Sequence, residues 1–269
     1  MTAAPAALRR PGRQSLLTPA RDVLAIAGRN LNVIRRTPRL LVFSTVQPLV
    51  FLVLFRYVFA GVAAKTLPAI PYVDYLMPGI FVQVTVFGAM NTAIGLASDV
   101  QSGLLERFGS LPMSRVAVLA GRTIADLARN IFVVALMVGL GYAVGFRIHN
   151  GAGPFLAGLA LVLAFGLAMS WVYAVVGLAV GDPETAQAAG FPVLAPLVFA
   201  SGAFIPVSTM PGWLQAFAAH QPVSYTASAV RALVLGGPAS TYVWQSLAWY
   251  AGIIIVFAPL GAWLYRRNV

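Results

Sequence analysis

Six long apolar stretches, set apart by short polar ones, dominate the pattern of this chain. They fall at Leu40–Ala60, at Tyr75–Ala97, around Ile131–Phe146, and at Pro154–Val180, Ala186–Pro206 and Gln245–Tyr265. A hydrocarbon core of about 30 Å takes roughly 20 helical residues at about 1.5 Å each, so each stretch crosses it or nearly so. Pro154–Val180 is the longest and is expected to tilt. Backbone amides in lipid have no water to bond, which makes the helix the expected form. A barrel would show alternating segments of about ten residues, and the chain has none. The pattern predicts an all-α membrane protein with six transmembrane helices, spanning residues 38–269.

Pro48, Pro192, Pro196 and Pro259 sit inside these stretches and are expected to kink them, since each removes a helix hydrogen bond. Gly141/Gly145 and Gly177/Gly181 form small-xxx-small pairs, a spacing that permits close helix packing. No internal repeat is visible, which weighs against an inverted-repeat carrier.

Three segments do not read as simple spans. Ala20–Arg36 repeats Val23, Leu24, Ala27, Leu31 and Ile34 at helical spacing, with Arg21, Arg29 and Arg35 mostly elsewhere on the wheel. Residues 20–37 are expected to form a basic amphipathic interface helix in the cytoplasmic headgroup layer, ended by Thr37-Pro38. Residues 1–19 are expected to be a disordered basic tail. Ser98–Arg122 is expected to be the longest cytoplasmic loop. Ser98 and Asp99 are expected to cap a short helix, Val100–Phe108, stopped by Gly109. Leu104, Leu105 and Phe108 give it an apolar side, and Glu106 and Arg107 a charged one. Pro206–Gly237 is too apolar for a solvated loop and is broken by Pro211 and Pro222. It predicts two short helices, near Gly212–Ala219 and Val223–Leu235, dipping into the outer leaflet with protein covering their ends. Trp213, Tyr225 and Tyr242 suit the membrane interface. His220 and Arg231 are its polar landmarks, and His220 is expected to be a hydrogen-bonded structural residue rather than a proton relay.

Composition strengthens the membrane reading. The chain is 59% hydrophobic and 9% charged, with a mean hydropathy of +0.84, where a soluble domain carries roughly 25% charged residues. Net charge is +11, from 18 basic and 7 acidic residues. In a soluble protein that excess would suggest nucleic acid. Here orientation explains it, and no nucleic-acid partner is expected. With the N-terminus cytoplasmic, fourteen basic residues fall inside, eight of them within residues 1–39. Only Arg56, Lys65, Arg147 and Arg231 fall outside. Both termini then face the cytoplasm. Arg56 is expected to snorkel outward. The N-terminus does not read as a cleavable signal peptide.

The missing chemistry narrows the function further. There are no cysteines, hence no disulfide or thiolate site. The single lysine, Lys65, follows FAGVAA, so no Walker-type phosphate loop exists. Neither H-E-x-x-H nor G-x-S-x-G occurs. With two histidines and seven carboxylates, no metal site, bound cofactor or catalytic residue is expected. Asp99, Glu106, Asp126, Asp182 and Glu184 are all expected at the cytoplasmic side, so no relay of acids crosses the membrane as ion-driven pumps often need. The energy source is expected on another polypeptide.

Three stretches, LLERFGSLPMSRVAVLAGR, GYAVGFR and FIPVSTMPGWLQAFAAHQPVSYTASAVRALVLGG, resemble the ABC-2 type permeases of bacterial exporters. The likeness is to the daunorubicin- and doxorubicin-resistance type of actinobacteria. The resemblance implies the type V ABC exporter (ABC-2) fold in the plasma (inner) membrane. It implies a permease paired with a second copy or a paralogue, on two copies of a separate ABC ATPase that binds ATP and Mg. Asp99, Leu104, Leu105, Glu106, Arg107 and Phe108 would then couple to that ATPase. Arg21, Arg29 and Arg35 would belong to the interface helix, and Phe204, Trp213, His220 and Tyr225 to an extracellular gate of re-entrant helices. A substrate path between spans one, two and five would include Phe51, Gln83, Phe87, Asn91 and Phe199. The implied activity is ATP-driven export of an amphipathic drug, antibiotic or lipid. The rival readings are a polysaccharide exporter of the same superfamily, a secondary transporter and a membrane-embedded lipid enzyme. The last two lack the intramembrane charges or polar cluster that they need.

Overall fold

The computed structural model describes residues 38–58, 61, 70–104 and 115–267, with side chains from Val46 in the first helix and Arg122 in the third. The N-terminal tail and interface helix, and Leu105, Glu106, Arg107 and Phe108, lie outside the described residues. The helices are α1 (Pro38–Val58), α2 (Tyr72–Gln101), α3 (Arg115–Ala143), α4 (Ala152–Val180), α5 (Pro183–Phe199), α6 (Gly212–Ala219), α7 (Pro222–Leu235) and α8 (Ser240–Arg267). A single 3-10 turn, Val207–Thr209, precedes α6. No strand occurs among the described residues.

Among the described residues, four helices are long and apolar enough to cross a membrane: α2, α3 from Arg122, α4 and α8. In α1 the described apolar stretch is the shorter Val46–Val58. α5 has 17 residues, or roughly 25 Å at the helical rise.

α2 is the central strut. Its apolar window is 72% buried, against 17% for α8, which lies on α4 and α7 at the edge of the bundle. α2 touches α1, α3, α4, α5 and α7, and packs most extensively on α4. A helix apolar on every side belongs in such an interior position. Glycine allows the closest approaches. A Cβ on Gly177 of α4 would lie 2.8 Å from the Ala93 Cα of α2, and one on Gly79 of α2 would lie 2.9 Å from the Ala203 Cα.

Four local expectations need correction. α2 runs on to Gln101, with Ser102 as its C-cap, so Asp99 lies in its last turn and caps no new helix. The turn that stops it is at Gly103, whose φ is 66°, a left-handed value that glycine adopts without Cβ strain. Arg115, Arg122 and Arg129 stand on α3, which begins well before the apolar stretch, not in a loop. α5 ends at Phe199, short of Pro206. As expected, the prolines Pro48, Pro192, Pro196 and Pro259 lie inside helices. Of the two glycine pairs, Gly141, Gly177 and Gly181 meet α2, whereas Gly145 has nothing within 4 Å of an added Cβ. Gly145 and Gly181, with φ of 103° and 72°, follow the ends of α3 and α4.

Gly177→Ala is therefore expected to push α4 off α2 and to lower stability by about 1–3 kcal/mol, as overpacking does. Gly139, with nothing within 4 Å of an added Cβ, is the control: Gly139→Ala leaves the melting temperature in detergent unchanged.

Candidate functional site

Beyond Phe199 the chain leaves the helix, and the carbonyls of Leu197, Ala200, Gly202, Ala203 and Phe204 take partners from α2, from α7 or from its cap Gln221. An unwound segment at membrane depth needs such partners, because lipid offers none. Tyr72 donates its hydroxyl to the Phe204 carbonyl (3.0 Å), and Tyr75 donates to Gly202 O (3.2 Å). From α7, Arg231 donates Nε to Tyr75 O (3.1 Å) and Nη2 to Gly202 O (3.0 Å) and Ala203 O (3.3 Å). Its guanidinium lies 3.6 Å from the Tyr75 ring centroid, close enough for a cation–π contact. Gln221 donates Nε2 to Leu197 O (2.8 Å), while its Oε1 accepts from Val223 N and caps α7 ahead of Pro222. Ser224 Oγ accepts from Gly202 N at 2.9 Å.

A second tie holds the far end of α7. Buried Asp74, near the start of α2, accepts from Arg147 N (2.9 Å) and lies 3.6 Å from His149 Nε2. The next residues reach α7. His149 N and Asn150 N both donate to Val234 O, and Asn150 Nδ2 donates to Leu233 O, each at 3.1 Å.

Five phenylalanines gather where α1, α2 and the end of α5 meet. Phe55 stacks on Phe204 with centroids 4.4 Å apart. Phe51 lies 6.1 Å from Phe55, 6.4 Å from Phe87, 5.8 Å from Phe199 and 6.4 Å from Phe204. Toward the other end of α2 lies a cavity of about 300 Å³, lined by Gln47, Phe87, Asn91, Arg129, Asn130 and Gln187 among others. Its one guanidinium is already held. Arg129 lies 3.2 Å from Asp126 Oδ1 and donates to Gly88 O, while Thr92 donates to Asp126 Oδ2 at 2.6 Å. The cavity therefore offers mainly neutral amides beside an apolar aromatic wall.

The profile of the family described as ABC-2 type transporter matches residues 21–235. This chain belongs to that family. Among its relatives is the daunorubicin resistance ABC transporter permease protein DrrB1 of Streptomyces coeruleorubidus, 33% identical over 256 residues, 95% of this chain and 90% of the relative. The probable doxorubicin resistance ABC transporter permease protein DrrC of Mycobacterium tuberculosis is 31% identical over 224 residues, 83% and 80% of the two chains. A putative transport permease, ycf38 of Porphyra purpurea, is 26% identical over 216 residues, 78% and 72%. The chain is thus a multi-pass membrane permease of the drug-resistance type.

In this ABC-2 permease, the residues proposed for the path fall in two groups. Phe51, Phe87 and Phe199 meet in the aromatic cluster, and Phe204, assigned to the gate, joins them. Asn91 lines the cavity and donates to Phe87 O (3.2 Å). Gln83 is buried, and its Oε1 finds no hydrogen-bond partner among the described residues. Of the other gate residues, Trp213 is 76% exposed and makes no ring contact with the cluster. His220 Nδ1 lies 2.9 Å from Ala216 O, in keeping with a structural role. Tyr225 lines a separate cavity. At the C-terminal end of α2, Asp99 forms an ion pair with Arg122 of α3, and Gln101 Nε2 reaches Asp182 Oδ1 at 3.5 Å. Sequence reasoning missed Tyr72, Asp74, Tyr75, Gln221 and Ser224. It also put all the buried acids at one end, whereas Asp74 stands at the other. A usable signal was present in α7: Gln221, Ser224, Ser228 and Arg231 recur every three to four residues on one face.

Asp182, in the turn between α4 and α5, accepts from the Thr185 hydroxyl (2.5 Å) and amide (2.8 Å). The Thr185 hydroxyl bond, then the amide bond, holds its carboxyl below the usual carboxylate range. A depressed carboxylate pKa stabilises above the unfolded value of about 3.9, and the effect is lost as pH falls through the lower folded value. Asp182→Ala is expected to speed hydrogen exchange at the Thr185 amide at neutral pH. Wild type should approach the variant's rate, corrected for intrinsic pH dependence, only as Asp182 protonates. Arg231→Lys is expected to cost roughly 3 kcal/mol, read as a lower melting temperature, because a point charge cannot serve three carbonyls as a planar fork does.

Proposed function

We propose that this chain is the permease subunit of an ATP-driven exporter that carries an amphipathic molecule outward across the plasma membrane. The observation that carries this reading is the order of chemistry along one face of α2. A cavity of amides from Gln47, Asn91, Asn130 and Gln187 is followed by a cluster of five phenylalanine rings. A molecule with a polar end and a flat apolar body fits that sequence of surfaces. Relatives named for daunorubicin and doxorubicin resistance make those drugs the first substrates to try.

The remaining parts follow from this reading. α1 and α5 complete a count of six spans with both termini cytoplasmic. They expose large apolar side chains beside the cavity, Val50 at 56% and Phe191 at 52%. A second permease copy or a paralogue covers that face and closes the path. α6 and α7 serve as the re-entrant outer gate. Residues 20–37 lie in the inner headgroup layer with Arg21, Arg29 and Arg35 near phosphates. Two copies of a separate ATPase bind ATP and Mg, and residues 104–108 dock into them. The ties from Asp99 to Arg122 and from Gln101 to Asp182 support this. Through them, a push on the docking segment moves α2, α3 and the start of α5 together.

With the ATPase co-expressed, replacing Glu106 and Arg107 by alanine is expected to reduce ATPase co-purification or ATP-dependent daunorubicin efflux, with the amount of membrane-inserted permease unchanged. Wild-type assembly and wild-type efflux together would refute the docking assignment. Phe51→Ala is expected to raise KM for efflux more than it lowers kcat, since it removes contact surface and no energy-coupling group.

A further inference from the structure

A second cavity of about 300 Å³ opens between the 202–207 segment, α7 and the start of α8, beside the Arg231 junction and apart from the aromatic cluster and the amide-lined cavity. Its polar walls are Tyr75, Ser224, Tyr225, Ser228, Arg231 and Tyr242. Hydrogen is in surplus there. A guanidinium carries five N–H donors. Nε and Nη2 of Arg231 serve the Tyr75, Gly202 and Ala203 carbonyls, and Nη1 meets no acceptor among the described residues. Ser224 Oγ accepts from both Gly202 N (2.9 Å) and Gln221 Nε2 (3.3 Å). Both its lone pairs are then engaged, and its O–H is left to donate. Among the described residues no carboxylate pairs with Arg231. The acids in ion pairs are Asp74, Asp99 and Asp126, and their partners are His149, Arg122 and Arg129. Carbonyl dipoles and the Tyr75 ring are the counterweight that its charge has here.

We infer that this cavity is a binding site for a phosphate oxyanion, held by Arg231 Nη1 and the surrounding hydroxyls. A partly buried cation surrounded by unspent donors is stabilised by a ligand that brings acceptors and negative charge. A guanidinium with hydroxyls matches the tetrahedral oxygens of phosphate better than a planar or neutral group. The volume holds a phosphate with its first substituents and excludes whole acyl chains. A phospholipid would thus leave its tails in the bilayer, and free phosphate would fit as well. The site lies on the unwound segment beyond α5, so its occupant adds a further tie to that backbone. The inference does not depend on what the permease exports.

The test uses the full-length permease in a maltoside detergent free of phosphate, with the melting temperature followed against three additives. These are phosphatidylglycerol, diacylglycerol with the same acyl chains, and inorganic phosphate. Phosphatidylglycerol is expected to stabilise the wild type and diacylglycerol is not. Ser228 stands three residues before Arg231, on the same face of α7. Ser228→Asp sets a carboxylate beside the guanidinium and is expected to weaken the apparent phosphatidylglycerol affinity by about tenfold or more, the worth of hydrogen bonds to a charged group. Ser228→Ala keeps the charge and is expected to retain most of the effect. Stabilisation by inorganic phosphate as well would identify a small-anion site, and stabilisation by the lipid alone a headgroup site. No stabilisation of wild type by either phosphate compound would overturn the inference, as would equal stabilisation by diacylglycerol or an undiminished effect in Ser228→Asp. Should Ser228→Asp fail to fold, Tyr225→Phe with Tyr242→Phe removes two donors and leaves the Arg231 carbonyl bonds intact. Unchanged affinity in that variant would equally sink the proposal.

Discussion

Where α5 stops at Phe199, the backbone runs on through residues 200–206 without the hydrogen bonds a helix supplies itself. In a bundle this apolar, each carbonyl left open there costs several kcal/mol if it faces hydrocarbon. Arg231 meets the largest share of that demand. Its planar fork reaches three carbonyls from two separate segments, one at the start of α2 and one beyond α5. Tyr72, Tyr75, Gln221 and Ser224 meet the remainder. Remove the fork and α2, α5 and α7 lose their common junction. The close approach of Gly79 to the Ala203 backbone depends on the same junction, because only a held backbone tolerates a neighbour with no side chain between.

α2 carries that junction to the other side of the bundle. Its N-terminal end bears Tyr72, Asp74 and Tyr75, all engaged with the loop before α4 or with the unwound segment. Its C-terminal end bears Thr92, Asp99 and Gln101, engaged with α3 and with the turn before α5. Between them most residues are apolar or small and buried, Gln83 is buried as well, and Asn91 faces the cavity. Protein interiors transmit displacement rather than absorb it, since they are close-packed. A strut anchored at both ends by charged or multiple hydrogen bonds, and packed along its middle, therefore moves as a unit.

How far the sequence foretold this varies with the range of the interaction. Four of the expected spans were legible because hydrocarbon imposes one pattern over some twenty residues. The break at Pro211 and Pro222 was legible too: Gly212–Ala219 matches its predicted bounds, and Pro222–Leu235 differs by one residue. The end of α2 was not legible. Ser98-Asp99 has the local form of an N-cap, yet Asp99 finds Arg122 on α3, and that partner 23 residues away overrides a capping preference worth about 1 kcal/mol. The Arg231 junction was the least legible part. Its donors pair with backbone carbonyls as far as 156 positions away, and a backbone carbonyl has no residue type to read. The candidate path residues were chosen as aromatic and amide positions on spans one, two and five. Phe51, Phe87 and Phe199 converge because those spans border one groove, while Trp213 and His220 lie apart because the short helices turn them outward.

Phe204 joins the two halves of this account. Its carbonyl accepts from Tyr72 at 3.0 Å, which makes it part of the Arg231 junction. Its ring stacks on Phe55 at 4.4 Å, which makes it part of the aromatic cluster. One residue cannot shift its backbone by a large fraction of an ångström and keep a stacked ring in place, because the ring is only two bonds from Cα and side-chain torsions keep to staggered wells. Any displacement of residues 200–206 thus reaches the cluster between α1 and α2. Conversely, anything wedged among the five rings must either leave Phe204 where it is or strain its bond to Tyr72. The polar junction and the apolar cluster are mechanically one device, and the physical reason is this single side chain with a foot in each.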